Sequence, residues 1–345
     1  MTSITPAELQ HMKEHAGDTK VPNIIATVIT CGCISYVAVA LRLYARNTAK
    51  FGIGLDDFGI LIALVFFTSY FVMLALVTRW GLGRHAIMIT NAEAFGKTNV
   101  TNEITYTMSL AFVKFSILLF YDRIFPNKGL RKAFLATALF IIAWIITSIF
   151  GSIFACVPVN KQWDPAVPGK CMAFGSFVLG ISIINIITDF TLLILPMPVI
   201  WGLNMKRTKK ILTILTLVAG SFACIVSIVR LASVQAVGST TDPSWDDVGG
   251  GILSCVEVCV GIVAASLPTY RPLLNRFIKN RDYGYHPRSD GIVQTTDIQM
   301  HSAPRSAHRD DDDDTPYGHS IPKSFGGKIS PASSDKERLY TKLSE

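Results

Sequence analysis

Strand-like alternation of polar and apolar residues is missing from this chain, and charge is scarce: Asp, Glu, Lys and Arg make up 17% of it. No Walker A, H-E-x-x-H or G-x-S-x-G sequence occurs. That removes the P-loop nucleotide site, the helical zinc-protease site and the serine-hydrolase elbow. No internal repeat is visible, and no dense Cys/His cluster suggests a metal site. Residues 1–20 are polar, and no A-x-A-like site follows the first apolar run, so a cleavable signal peptide is not expected.

What remains is apolar. Half the residues are hydrophobic and the mean hydropathy is +0.40. Seven long apolar stretches run over residues 22–44, 58–77, 104–124, 133–155, 172–203, 211–234 and 249–270. A helix needs about 20 mostly apolar residues to cross the hydrocarbon core. Without alternation a closed barrel is excluded, and helices are the remaining way to satisfy the backbone in lipid. The expected fold is all-α, a bundle of seven transmembrane helices.

Orientation follows from the loops. Arg42, Arg46 and Lys50 lie at and after the end of the first stretch, Arg123, Lys128, Arg131 and Lys132 at and after the end of the third, and Lys206, Arg207, Lys209 and Lys210 between the fifth and sixth. The alternate loops are poorer in Lys and Arg. The positive-inside rule then puts the N-terminus outside and the C-terminus in the cytosol. The net charge of +7 follows from this bias and is not evidence for nucleic acid; its partner is membrane lipid, through anionic headgroups at the inner face. Cys156 and Cys171 flank one outer loop, where an oxidising compartment favours a disulfide over two free thiols. Asn99-Val100-Thr101 is an outer glycosylation sequon close to the membrane. After about residue 281 polar residues take over, including five acids at 310–314. The reading is a short outer N-terminus at 1–21, a membrane domain at 22–281 and a disordered cytosolic tail at 282–345.

Ionisable residues inside lipid are costly and usually face the bundle interior. Lys114, Asp189, Arg230 and Glu257 qualify, with Asn185 one turn from Asp189 on the same face. Lys114 and Asp189 sit at similar depth, roughly 15–20 Å from the inner boundary. Glu257 and Arg230 sit nearer the outside and form a second candidate pair. The set reads as a polar pocket or relay, or as interhelical ion pairs that fix packing, and each pair can do both. Tyr121-Asp122-Arg123 closes the third stretch; it resembles a receptor microswitch, and an arginine anchored to headgroups explains it as well. Asp56 and Asp57 are expected to cap the second helix, and Pro196 and Pro198 to bend or end the fifth. Trp80, Trp163, Trp201 and Trp245 fit an aromatic belt.

Several phrases occur together in order: Leu41-Arg42-Leu43-Tyr44-Ala45-Arg46, Gly54-Leu55-Asp56-Asp57, Gly81-Leu82-Gly83-Arg84-His85 and Lys114-Phe115-Ser116. Cys156, Trp163, Cys171, Asn185, Asp189, Pro196-Met197-Pro198, Ser227, Arg230-Leu231, Glu257 and Leu267-Pro268 follow. Over roughly residues 25–275 the set resembles the fungal rhodopsin-like domain family of seven-helix integral membrane proteins, which includes a protein of the satratoxin biosynthetic cluster. Retinal is not expected despite the family name. Retinal proteins hold the chromophore on a lysine of the last helix, and 249–270 contains none. Some relatives carry an outer cysteine-rich domain; residues 1–20 contain no cysteine.

Three functions compete. The first is a receptor-like or accessory protein linked to small-molecule sensing or secondary metabolism, binding a lipophilic molecule in the bundle and coupling to a cytosolic signalling partner through loops and tail. The second is a membrane-embedded cyclase, isomerase or hydrolase with Asp189 and Glu257 as acid and base. A transporter is weakest, with no inverted repeat or broken-helix pair. The plasma membrane is favoured over an endomembrane.

Overall fold

The computed structural model describes residues 6–270 apart from 16, 49–51, 125–127, 165, 198–206 and 238–241. Pro198, Trp201, the acidic run at 310–314 and the tail at 282–345 lie outside the described residues. The described chain is helical: α1 Pro6–Glu14, α2 Val21–Thr48, α3 Leu55–Trp80, α4 Ala92–Ile124, α5 Lys128–Ile153, α6 Phe174–Ile194, α7 Arg207–Val237, α8 Pro243–Asp246 and α9 Val248–Ser266. Among the described residues six spans are long and apolar enough to cross a bilayer, on α2, α3, α4, α5, α6 and the α8–α9 segment. α7 adds a shorter apolar stretch, Leu217–Ser233.

The burial pattern is that of a bundle in lipid. Val65, Leu135 and Val218 are each more than 60% exposed, while Lys114, Glu257 and Asn185 are buried. Lipid does not reward burying leucine, so small residues and interhelical hydrogen bonds draw the helices together. Gly59 shows this: a Cβ added there would sit 3.3 Å from Ser116 Cβ, so α3 and α4 touch at backbone distance. Ser109 donates to Ala63 O at 2.9 Å and Ser116 to Asp56 O at 2.7 Å across the same seam. Trp144 on α5 donates to Ile181 O on α6 at 3.1 Å, and Tyr70 on α3 to Gly251 O on α9 at 2.9 Å.

Helix ends depart from the expected ones. α4 starts at Ala92, three turns before the apolar stretch. Asn91 Oδ1 caps the Ala94 N–H at 2.9 Å, and Glu93 pairs with Lys97 at 2.5 Å one turn on. Hydropathy does not register a helix that projects beyond the hydrocarbon. Asn99, the expected glycosylation site, therefore lies half-buried within α4, whereas a sequon ordinarily sits in a surface loop. α6 ends at Ile194, because Pro196 has no N–H to continue the ladder. Arg42 and Arg46, read from the sequence as loop charges, belong to α2.

Two features organise the outer end. Cys156–Val157 pairs antiparallel with Lys170–Cys171, and Cys156 is disulfide-bonded to Cys171. The bond lies on the side that the loop charges assign to the exterior. The turn after α3 uses Gly81 (φ 129°) and Gly83 (φ 82°), left-handed positions that favour glycine. It places Gly83 N 3.0 Å from Ser244 O, Lys20 N 2.9 Å from Gly83 O, and His85 Nδ1 2.5 Å from Asp242 Oδ2. Trp245 stacks on His85 with ring centres 4.5 Å apart, and Lys20 Nζ lies 4.2 Å from the Trp245 ring centre.

Candidate functional site

Lys114, Arg230 and Glu257 are buried within the bundle, where other interior polar groups of the same helices satisfy them. Lys114 on α4 is 2% exposed. Its ammonium lies 3.0 Å from Asp189 Oδ1 and donates to Asn185 Oδ1 at 2.6 Å, Thr188 Oγ1 at 2.5 Å and Asn185 O at 3.2 Å. Glu257 on α9 is also 2% exposed. Its Oε1 accepts from Asn185 Nδ2 at 2.8 Å and Ser227 Oγ at 2.6 Å; its Oε2 accepts from Tyr106 OH at 2.7 Å and lies 3.2 Å from Arg230 Nε. The Arg230 contact is an ion pair outside hydrogen-bond geometry. Arg230 also covers the Tyr106 ring at 4.8 Å.

These are one network, not two separate pairs. Asn185 bridges Lys114 to Glu257, and Ser227 Oγ lies 3.1 Å from Asp189 Oδ2 as well as 2.6 Å from Glu257. The two cations and two anions sum to zero, which is what a low-dielectric interior requires. Tyr106, Thr188 and Ser227 complete it. The sequence reading singled out Ser227 only within the family motif and the other two not at all, because hydroxyl residues are common in helices and carry no signal of their own.

Below the network, toward the inner end, a partly open cavity of about 80 Å³ lies among α4, α6, α7 and α9. Its walls are mostly Leu, Val, Ile, Ala and Phe, and its ceiling is Lys114, Asp189 and Glu257. Asp189 is the most accessible of the three, with its side chain 14% exposed.

A second buried cluster corrects the sequence reading at the inner face. Asp56 and Asp57 are not merely caps. Asp57 Oδ2 does accept from Gly54 N at 3.0 Å, but Arg42, fully buried, pairs with Asp56 at 2.7 Å and Asp57 at 2.8 Å. Arg42 also donates to Ala265 O on α9 at 2.6 Å. Arg46 contacts both acids, and Arg123 reaches Asp56 at 3.3 Å. Arg123 is thus paired across to α3 rather than with Asp122, whose contact is exposed Arg131 at 3.9 Å. The helix-end Arg/Asp spacing was the available signal, but it does not say that the loop folds the two ends together. Among the described residues no group of three or more His, Cys, Asp or Glu could hold a metal. Cys31, Cys224, Cys255 and Cys259 are buried free thiols, and Cys33 is exposed.

Outward apolar faces, an inward charged network and a disulfide on the outer hairpin define a multi-pass helical membrane protein. The chain belongs to the fungal rhodopsin domain family, which matches residues 41–276. It is 30% identical to the polyenoic acids biosynthesis gene cluster protein Ba17b of Metarhizium anisopliae, over 79% of this chain and 80% of that protein. It is 28% identical to a SAT4 family membrane protein of Emericella nidulans, over 61% of this chain and 54% of that one. With Receptor GIN3 of Arthrobotrys oligospora it shares 25% identity over 49% of this chain and 41% of that one. No solved structure matches.

Proposed function

We propose that this chain is a receptor-like or accessory membrane protein of fungal secondary metabolism that binds a lipophilic small molecule within its bundle. The observation that carries the reading is the cavity: apolar walls from four helices under a polar ceiling that ties the same helices together. A molecule seated there touches α4, α6, α7 and α9 at once, and a ligand shifts a conformational equilibrium by its differential affinity for the two states. The inner loops, and the tail after residue 281, are where a cytosolic signalling partner would read that shift. Relatives named for biosynthetic clusters and for a receptor support this setting. The plasma membrane is the proposed location, with the disulfide hairpin facing the oxidising exterior.

The reading includes no retinal. The last helix, Val248–Ser266, has no lysine. Lys114 sits on α4 with its protons donated to Asn185 and Thr188 beside Asp189.

The alternative, a membrane-embedded cyclase, isomerase or hydrolase, draws on Asp189 and Glu257 flanking Ser227. It is weaker because both Glu257 oxygens are already engaged. Deleting the gene in its own fungus and comparing extracted metabolites by mass spectrometry tests the choice. The proposal expects a uniform fall of related products, or unchanged products with altered growth responses. One accumulating intermediate and one vanished product would favour the enzyme.

A further inference from the structure

We infer that the bundle's site is entered from the cytosolic side and takes a neutral lipophilic molecule headed by a hydrogen-bond donor, a hydroxyl or amide N–H, rather than a carboxylate. This deepens the small-molecule reading above and rests on it.

The entry side follows from where the cavity lies along each helix. On α4 the lining runs from Leu110 to Tyr121, toward the inner end; on α9 and the turn that follows it, from Glu257 to Pro268. α6 contributes Asp189 and the residues that follow it, and α7 contributes Leu217, Gly220 and Ala223, before Ser227. The lining therefore extends from the polar network toward the cytosol. On the outer side the way is closed twice. Arg230 and Tyr106 stack just above Glu257. Beyond them, Lys20, His85, Asp242 and Trp245 bind the N-terminal segment to two outer loops.

The head group follows from counting protons. Ser227 has one hydroxyl proton and three acceptors within reach: Glu257 Oε1 at 2.6 Å, Ala223 O at 3.0 Å and Asp189 Oδ2 at 3.1 Å. Glu257 is the nearest. When the proton goes there, Oδ2 of Asp189, a residue that lines the cavity, is left without a donor, while Oδ1 is held by Lys114. Lys114 is 2% exposed with its protons already committed, so it has none for a carboxylate. An anionic or cationic head would also unbalance four charges that now cancel. A neutral donor satisfies Asp189 Oδ2 and leaves the balance intact. The cavity is about half the volume of an engineered ~150 Å³ cavity that holds benzene. It therefore takes the head and first carbons, and the remaining chain leaves through its open side.

The test uses the full chain in nanodiscs and three photoreactive ten-carbon alkyl probes, each with a diazirine near the head and bearing a hydroxyl, a primary amide or a carboxylate. Labelled residues are mapped by mass spectrometry. The hydroxyl and amide probes should label the α4, α6 and α7 lining about tenfold more than the carboxylate probe, the worth of one charge-assisted hydrogen bond. Ala223→Leu, which fills the cavity without touching a charge, should lower that labelling about tenfold. Asp189→Asn should abolish the preference among heads. Equal labelling of the cavity by all three probes would overturn the donor assignment and leave cavity binding standing. Labelling concentrated at the outer end, near Phe95 or Trp163, would overturn the entry side. No labelling inside the bundle would overturn both the inference and the binding reading beneath it.

Discussion

Replacing Glu257 with glutamine tests whether the interior charges act as one unit. The side chain is 2% exposed and serves four partners: Asn185 and Ser227 at one oxygen, Tyr106 and Arg230 at the other. Glutamine retains one acceptor, which can still serve Asn185 and Ser227. Its NH₂ then faces the Tyr106 hydroxyl and the Arg230 guanidinium, both of which need acceptors. The loss is one hydrogen bond to a charged group, about 1.5–3 kcal/mol, together with an orphaned buried cation. Breaking a buried pair this way costs about 3–5 kcal/mol in all. Arg230→Gln added to Glu257→Gln removes the orphan, so the double variant should be more stable than the sum of the single losses by about 2 kcal/mol. Unfolding of the detergent-solubilised protein by SDS titration, followed by tryptophan fluorescence, measures all three. Single losses that add to within about 0.5 kcal/mol would refute a coupled network.

Other expectations follow from the same geometry. Arg42→Lys loses the fork that holds Asp56, Asp57 and Ala265 O at once and should cost about 2–4 kcal/mol. Arg123→Ala, at a side chain 43% exposed, should cost less than about 1 kcal/mol in the same assay; equal costs would contradict the buried-cluster reading. Cys156→Ser opens a loop of 15 residues and should lower stability by about 3 kcal/mol, with a mass gain on thiol alkylation that is absent from the unreduced parent at Cys156 and Cys171. Gly59→Leu should push α3 from α4 and lower the yield of folded protein, read by size-exclusion chromatography, whereas Ser→Ala at lipid-facing Ser221 should leave it unchanged.

The spans were legible because the bilayer imposes a length on any apolar run, and Lys114, Asp189, Arg230 and Glu257 stood out because ionisable residues are rare in such runs. What joins them was not legible. Asn185 and Ser227 were noted from a spacing and a motif, but nothing in the sequence says that each touches both halves of the network. Helix ends were misread where polar residues continue a helix past the hydrocarbon, as at α4 between Ala92 and Glu103 and at α2 beyond Tyr44. The outer closure was invisible for another reason. His85 and Asp242 are 157 residues apart, and neither belongs to a pattern that points to the other. The cavity has no sequence signature, since its walls have the composition of any apolar helix.

The central claim is that a lipophilic molecule occupies the inner cavity beneath this network. Native mass spectrometry of the full chain, extracted from its own fungal membranes beside the Ala223→Leu variant, tests it most directly. The account predicts a small-molecule adduct on the parent that is depleted about tenfold in the variant. A parent without adduct, or the same adduct at the same level on both proteins, would contradict it.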